Sequence, residues 1–232
     1  VGRNMHVLEY KNECIIVDAG LRFPEENMPG VDFIIPNIEY LTNNKNLKIL
    51  GIFVSHAHYD HFGAIPYLIS KLNYPSIYAT SLTKEIILRR QEEFTNLKKL
   101  DIKLIDVEKN NCVNLKNFIV NVFHVNHNVP DAVGFMIETP QGNIMYTGDY
   151  KIDFNPVFDK KADLTTIVKL ASRGVDLLMS DSTGIEQEGH SISEQEIFLN
   201  LEKVFMATKG RIILATFSSL IGRLQQVIYL AE

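Results

Sequence analysis

The stretch Ile49-Leu50-Gly51-Ile52-Phe53-Val54-Ser55-His56-Ala57-His58-Tyr59-Asp60-His61 decides the fold. Its first half is a short apolar run that predicts a buried strand. Its second half places three imidazoles and a carboxylate where that strand ends. Because alternate side chains of an extended segment point the same way, His56, His58 and Asp60 are expected on one side, and a turn can bring His61 beside them. Imidazole and carboxylate suit zinc and similar divalent ions, so the stretch predicts a metal site.

A polar loop without a ligand is the alternative explanation, and it is the usual one for a lone pair of histidines. Four ligand-type residues within six positions at a strand end favour a metal site, because metal ligation repays the desolvation of so many polar groups. His127 follows the alternating strand predicted for Phe118–Val125, and Asp149 follows the strand predicted for Asn143–Thr147. Each of these two residues alone would be expected in a surface loop or turn.

Composition limits the possible classes of protein. The 232 residues are enough for one large domain or one and a half, with 46% hydrophobic residues. No segment predicts a membrane span or a signal peptide, and two cysteines far apart argue against a disulfide framework. A cytoplasmic protein is therefore expected. The net charge of −5 argues mildly against nucleic-acid binding, but bound metal ions would add positive charge that this count omits.

The order of predicted elements indicates an α/β protein. Strands first cluster as hairpins and then alternate with helices, as in a layered sandwich followed by the beginning of a parallel α/β unit. A helix is predicted from Phe62 to about Leu72 and a strand over Arg211–Thr216, whereas Glu108–Asn117 is predicted to be a solvated connection. Ser193 and Glu196 form a capping box that predicts the start of a helix.

The motif His-x-His-x-Asp-His after an apolar strand resembles the metallo-β-lactamase superfamily. The segments Leu21–Asp32, Asn126–Asp131 and Thr147–Lys151 resemble the ribonuclease J family in the β-CASP branch of that superfamily. The resemblance implies an αββα metallo-β-lactamase sandwich over residues 1–194 and the beginning of a β-CASP domain over residues 195–232. It also implies that the sequence is a fragment of a longer protein, without the first strand and the C-terminal part.

The resemblance also implies a ligand set for two divalent ions, zinc or alternatively manganese. One ion would be held by His56, His58, His127 and Asp149, and the other by Asp60, His61 and Asp149. A further histidine ligand of the family would lie beyond residue 232.

Two more aspartates gain roles from the resemblance. Asp18 would orient the ligand loop without binding an ion itself. Equally, it could be only a turn residue that follows a strand. Asp181, in Asp181-Ser182-Thr183, resembles an acidic motif of the family that pairs with a distant histidine, which is thought to help protonate the leaving group. On residues alone it could equally be a turn residue.

The function that the resemblance implies is metal-dependent hydrolysis of RNA phosphodiester bonds, by 5′-to-3′ exonuclease or endonuclease action, in RNA processing and decay. Asp60 would bind metal and also orient the attacking hydroxide. RNA is the expected partner, with a homo-oligomer or a complex with a homologous subunit as the expected assembly. The alternatives are a small-molecule hydrolase of the thioesterase or lactonase type and an inactive partner subunit. The sequence departs from the family pattern at Tyr59, Gly184 and Gly222.

Overall fold

Two five-stranded sheets form the centre of the protein, in a computed structural model that describes residues 2–109 and 111–232. The first sheet contains, in spatial order, β1 (His6–Tyr10), β2 (Glu13–Val17), β3 (Lys48–Phe53), β4 (Ile77–Ala79) and β5 (Ile102–Leu104). The second has the order β10 (Leu177–Met179), β9 (Gly142–Tyr146), β8 (Val133–Thr139), β7 (Phe118–His124) and β6 (Cys112–Leu115). The helices are α1 (Glu39–Asn43), α2 (Tyr59–Phe62), α3 (Ile65–Leu68), α4 (Ser81–Gln91), α5 (Leu164–Ala171), α6 (Glu194–Ala207) and α7 (Ile221–Ala231).

The side chains of β2 show how the layers are built. All five of its residues are buried, so both faces of the strand are covered. Ile15 and Val17 pack with Phe135 of the second sheet, whereas Ile16 packs with Phe62 and other residues on the helical side. A strand buried on both faces has a continuous apolar sequence, which is the pattern Cys14–Val17 shows.

Helices cover the outer face of each sheet. Phe62, Leu68 and Ile87 belong to the apolar cluster on the outside of the first sheet, and Leu170 of α5 packs against Met136 on the outside of the second. The order of layers is therefore helix, sheet, sheet, helix. This confirms the predicted αββα sandwich.

Three of the predicted elements differ from the structure. The helix expected from Phe62 to about Leu72 is two short helices, α2 and α3, because Gly63 and Pro66 interrupt it. Part of the expected connection Glu108–Asn117 forms the strand β6, which pairs antiparallel with β7; residue 110 lies outside the described residues. The strand expected over Arg211–Thr216 is wrong, because these residues form no strand.

The helix predicted from the capping box is confirmed as α6, with Ser193 at its N-cap accepting a hydrogen bond from the Gln195 backbone N–H. Across residues 2–109 and 111–232, every helix is too short or too polar to cross a bilayer.

Candidate metal centre

Loops that follow three strands bring the predicted ligands together. His56 and His58 follow β3 of the first sheet, and Asp60 and His61 lie in the short helix α2 that comes next. In the second sheet, His127 follows β7 and Asp149 follows β9. Side chains of both sheets thus meet at one end of the sandwich.

The first group consists of His56, His58, His127 and Asp149, whose ligand atoms all lie within 4.8 Å of one another. His58 Nδ1 is 3.1 Å from His56 Nε2 and 3.1 Å from His127 Nε2. Nitrogen ligands about 2.0–2.1 Å from a tetrahedral ion are about 3.3 Å apart, so the three ring nitrogens have nearly the separation of ligands to one ion. The carboxylate Oδ2 of Asp149 is 3.9 Å from His127 Nε2.

The second group consists of Asp60, His61 and Asp149, again within 4.8 Å of one another. His61 Nε2 is 3.3 Å from Asp149 Oδ1 and 3.7 Å from Asp60 Oδ2. Asp149 belongs to both groups, and its two oxygens face different histidines. This arrangement suits two divalent ions that share one carboxylate.

The two groups differ in protonation. Burial, together with the nearby His58, lowers the pKa of His127 to about 4. Burial also lowers the pKa of His56 well below its ordinary value, so both imidazoles are neutral at pH 7 and can offer a lone pair. Burial would lower the pKa of His61 too, but the carboxylates of Asp18 and Asp149 outweigh it and raise this pKa to about 10.

Asp18 is fully buried and makes several hydrogen bonds behind the second ligand group. Its Oδ2 lies 2.7 Å from His61 Nδ1 and accepts a hydrogen bond of 2.7 Å from the Tyr146 hydroxyl. Ser55 also donates to Asp18, from its backbone N–H to Oδ1 at 2.8 Å and from its hydroxyl to Oδ2 at 3.0 Å. Asp18 contacts Nδ1 of His61 while Nε2 of the same ring faces Asp149, an arrangement suited to orienting this ring.

Close approach of two backbones fixes the ligand loop. The Ala19 N–H donates to the His61 carbonyl at 2.6 Å, and the Asn4 N–H donates to the Asp60 carbonyl at 3.0 Å. Between them, a Cβ atom on Gly20 would lie 1.6 Å from the Asp60 carbonyl oxygen. Glycine is therefore required at position 20 for Asp60 and His61 to sit where they do.

Asp181 is not a member of either ligand group. It follows β10, its backbone N–H donates to Thr147 Oγ1 at 3.1 Å, and its carboxylate accepts a hydrogen bond from the Thr183 N–H at 2.8 Å. Its negative charge is near enough to act on the pKa of His127. The structure thus shows the turn geometry that was one of the two interpretations of Asp181, at the border of the metal centre.

Sequence reasoning missed Ser55 and Tyr146. The Ser55 hydroxyl also lies 3.0 Å from His56 Nδ1 and 3.3 Å from His61 Nδ1, so it connects both rings to Asp18. Its position directly before the histidine motif was a usable signal. No local sequence signal pointed to Tyr146, because its hydrogen-bond partner Asp18 is 128 positions away in the chain.

Comparisons with known proteins agree with this geometry. A family model described as the metallo-β-lactamase superfamily matches residues 1–181. Ribonuclease J of Mycoplasma genitalium is 38% identical over 231 residues, covering 100% of this chain and 40% of that protein. Ribonuclease J of Helicobacter pylori strain J99 is 40% identical over 228 residues, covering 98% of this chain and 32% of that protein. The chain thus spans less than half the length of these relatives.

Solved structures share the fold. A protein of unknown function from Enterococcus faecalis V583 matches with a TM-score of 0.67 at 21% identity, over 98% of this chain and 60% of that one. The short form of human tRNase Z matches with a TM-score of 0.51 at 21% identity, over 88% of this chain and 82% of that one. At this identity the likeness concerns the fold alone.

Proposed function

Because this chain belongs to the metallo-β-lactamase superfamily, we propose that the protein is a metal-dependent ribonuclease that hydrolyses RNA phosphodiester bonds. The observation that carries the proposal is the pair of ligand groups that share Asp149. The relatives named ribonuclease J, which match the chain over nearly its whole length, favour RNA as the substrate. Exonuclease action from the 5′ end, endonuclease action, or both fall within the proposal.

The donor atoms fit two divalent ions. His56 Nε2, His58 Nδ1, His127 Nε2 and Asp149 would hold one ion, and Asp60, His61 Nε2 and Asp149 the other. The imidazole-rich first group favours zinc, with manganese as the alternative. When bound, such a pair of ions lowers the pKa of a water molecule towards neutrality and stabilises charge on the attacking and leaving oxygens of a phosphodiester.

Side chains of the protein would orient the ligands and the attacking water. Asp18 fixes the His61 ring, and Asp149 presents one oxygen to each group. The Asp60 side chain keeps 27% of its surface exposed, so its carboxylate can accept a hydrogen bond from the attacking water as well as bind an ion. We assign that second role to Asp60.

Asp181 is proposed to assist departure of the leaving oxygen. Its charge acts on the pKa of His127 although Asp181 joins neither ligand group, so its removal is expected to slow the reaction and leave the metal content unchanged. Acid–base assistance is worth about 10²–10⁴-fold in rate. Measuring cleavage and bound metal for Asp181→Asn tests this role, and an unchanged rate would contradict it.

The central test is His58→Ala beside His190→Ala, an exposed histidine outside both groups. Each protein is loaded with zinc or manganese, its bound metal is measured, and its cleavage of a single-stranded RNA with a 5′ monophosphate is followed. His58→Ala is expected to lose one ion and nearly all cleavage while its circular dichroism spectrum stays unchanged, because the ring lies at the end of a strand. His190→Ala is expected to behave as the wild type.

Full activity and full metal content in His58→Ala would overturn the ligand assignment. Hydrolysis of thioesters or lactones by the wild type, without cleavage of RNA, would replace the ribonuclease by a small-molecule hydrolase of the same fold. The retention of all six ligand residues argues against an inactive partner subunit.

Three further expectations stay predictions. They are a boundary between a metallo-β-lactamase domain at 1–194 and a β-CASP domain from 195, a cytoplasmic location, and assembly as a homo-oligomer or with a homologous subunit.

A further inference from the structure

A groove opens beside the ligand loop. Its volume is about 1060 Å³, and its lining includes His58 and Asp60 at one end together with Tyr59, Phe23 and Phe217. The groove is therefore continuous with the metal centre, and whatever reacts there is able to extend into it. Its aromatic lining is not used by any step of the proposed hydrolysis.

Aromatic rings are unusually exposed at this groove. Phe23 is 57% exposed, Tyr59 38% and Phe217 78%. The ring centroids of Phe23 and Tyr59 are 6.3 Å apart with planes at 50°, so the two rings form one edge of the groove. Exposed aromatic faces beside a reactive centre are typical of a surface that stacks on planar ligands.

Arg90 holds the Tyr59 ring from behind. Its guanidinium carbon lies 5.3 Å from the Tyr59 ring centroid and 5.2 Å from that of Phe94, and only 12% of its side chain is exposed. The cation–π contact and the packing fix one face of the tyrosine while part of the ring remains open. A ring that is already immobilised loses little entropy when a planar group stacks on it.

We propose that Phe23 and Tyr59 form a stacking site for one base of a single-stranded RNA whose phosphodiester lies at the metal centre. This inference rests on the proposed function. The groove is lined by Asp60 and His58 as well as by the aromatic rings, so a nucleotide next to the scissile bond is within its reach. Arg22, which forms an ion pair with Glu25, lines the same groove. Stacking on aromatic rings tolerates any base, because every base has a π-face.

The test uses Phe23→Leu, Tyr59→Leu and the control Tyr40→Leu, a tyrosine of α1 that is 62% exposed and does not line the groove. Binding of single-stranded RNA is measured by fluorescence anisotropy after metal removal by a chelator, so that the RNA stays intact. A series of oligonucleotides carries one abasic position each. Cleavage with metal restored gives KM and kcat for the intact RNA, and bound metal and thermal unfolding are measured for every variant.

For the wild type, one abasic position is expected to weaken binding about tenfold, the size of one stacked base. In Phe23→Leu and Tyr59→Leu, intact RNA is expected to bind about tenfold more weakly, and the same abasic position no longer weakens binding. KM rises in both variants with little change in kcat, and Tyr40→Leu matches the wild type. Phe23→Leu keeps the inference testable even if Tyr59→Leu loses metal or fails to fold, because Phe23 is not a neighbour of a ligand residue.

Cleavage of RNA by the wild type, with KM unchanged in Phe23→Leu and Tyr59→Leu, would overturn the stacking site and leave the proposed function standing. The stacking site would also be overturned if one abasic position weakened RNA binding by both variants as much as it weakens binding by the wild type. A wild type that neither binds nor cleaves RNA would overturn both proposals.

Discussion

At the scale of single residues, His61 distinguishes the two ligand groups. Its pKa of about 10 means that it carries a proton at pH 7 in the metal-free protein, whereas His127, with a pKa of about 4, does not. A histidine can bind a metal ion only through an unprotonated ring nitrogen. Occupation of the group with Asp60, His61 and Asp149 is therefore expected to release about one proton, and occupation of the other group none.

Titration calorimetry in buffers of different ionisation enthalpy counts these protons. The affinity of the group containing His61 should rise about tenfold for each pH unit between about 6 and 9, because the competing proton is lost only near the pKa of that residue. The affinity of the other group should be nearly independent of pH in the same range. His61→Ala serves as the control and should abolish the proton release. Equal proton release by both groups would contradict the assignment.

At the scale of elements, the contact between the segment after β2 and helix α2 positions Asp60. Gly20→Ala would place a methyl group 1.6 Å from the Asp60 carbonyl oxygen, so one of the two backbones must move. The variant is expected to lose the ion at the Asp60–His61 group and to unfold with a free energy lower by about 1–3 kcal/mol or more. Metal content and urea unfolding measure these effects. Gly210→Ala, where an added Cβ meets nothing within 4 Å, should leave both unchanged.

Element boundaries show which parts of the fold local sequence can predict. Strands with continuous or alternating apolar residues, such as β3 and β7, were predicted because their own sequence shows which faces are buried. The strand β6 has only four residues, half of them exposed, and it forms because β7 pairs with it. Conversely, Arg211–Thr216 has a strand-like sequence but, in the part of the chain that the structure describes, no strand pairs with it. Pairing is a tertiary property that a local pattern does not contain.

The candidate site was predictable to a similar extent. The ligand-type residues at strand ends were found because each stands directly after an apolar run, and the structure brings six of them together. Their roles as ligands stay a prediction. The contacts of Asp18 with Ser55 and Tyr146 join three distant segments, so no window of sequence shows them.

At the scale of the whole molecule, Glu194 joins the last helices to the segment after β9. Its carboxylate accepts hydrogen bonds from Lys151 at 2.6 Å, and from Arg223 and Gln226 at 3.0 Å each. Burial would raise the pKa of Glu194, but these donors outweigh it and hold the pKa below its ordinary value. A lowered pKa in the folded state means that the carboxylate stabilises the fold above the ordinary glutamate pKa and loses this effect as pH falls through the lowered value.

Glu194→Gln is therefore expected to lower the melting temperature of the metal-free protein at pH 7. The difference from the wild type should shrink as pH falls from about 5 to about 3, because the wild-type carboxylate then takes up a proton. Thermal unfolding across this range measures the effect. Glu202→Gln, at an exposed position further along the same helix, is the control and should follow the wild type throughout. A difference that grows with acidity would contradict the sign of the pKa shift.

The origin of the ligands in both sheets has a consequence for the order of events during protein synthesis. His58 and His127 lie 69 positions apart, and Asp149 follows them at the end of β9. A chain emerging from the ribosome exposes the histidine motif long before its partners, and domains acquire their native contacts as units. Metal loading is therefore expected only after β9 has left the exit tunnel and the two sheets have met. Until then, the nascent chain holds only part of the candidate site.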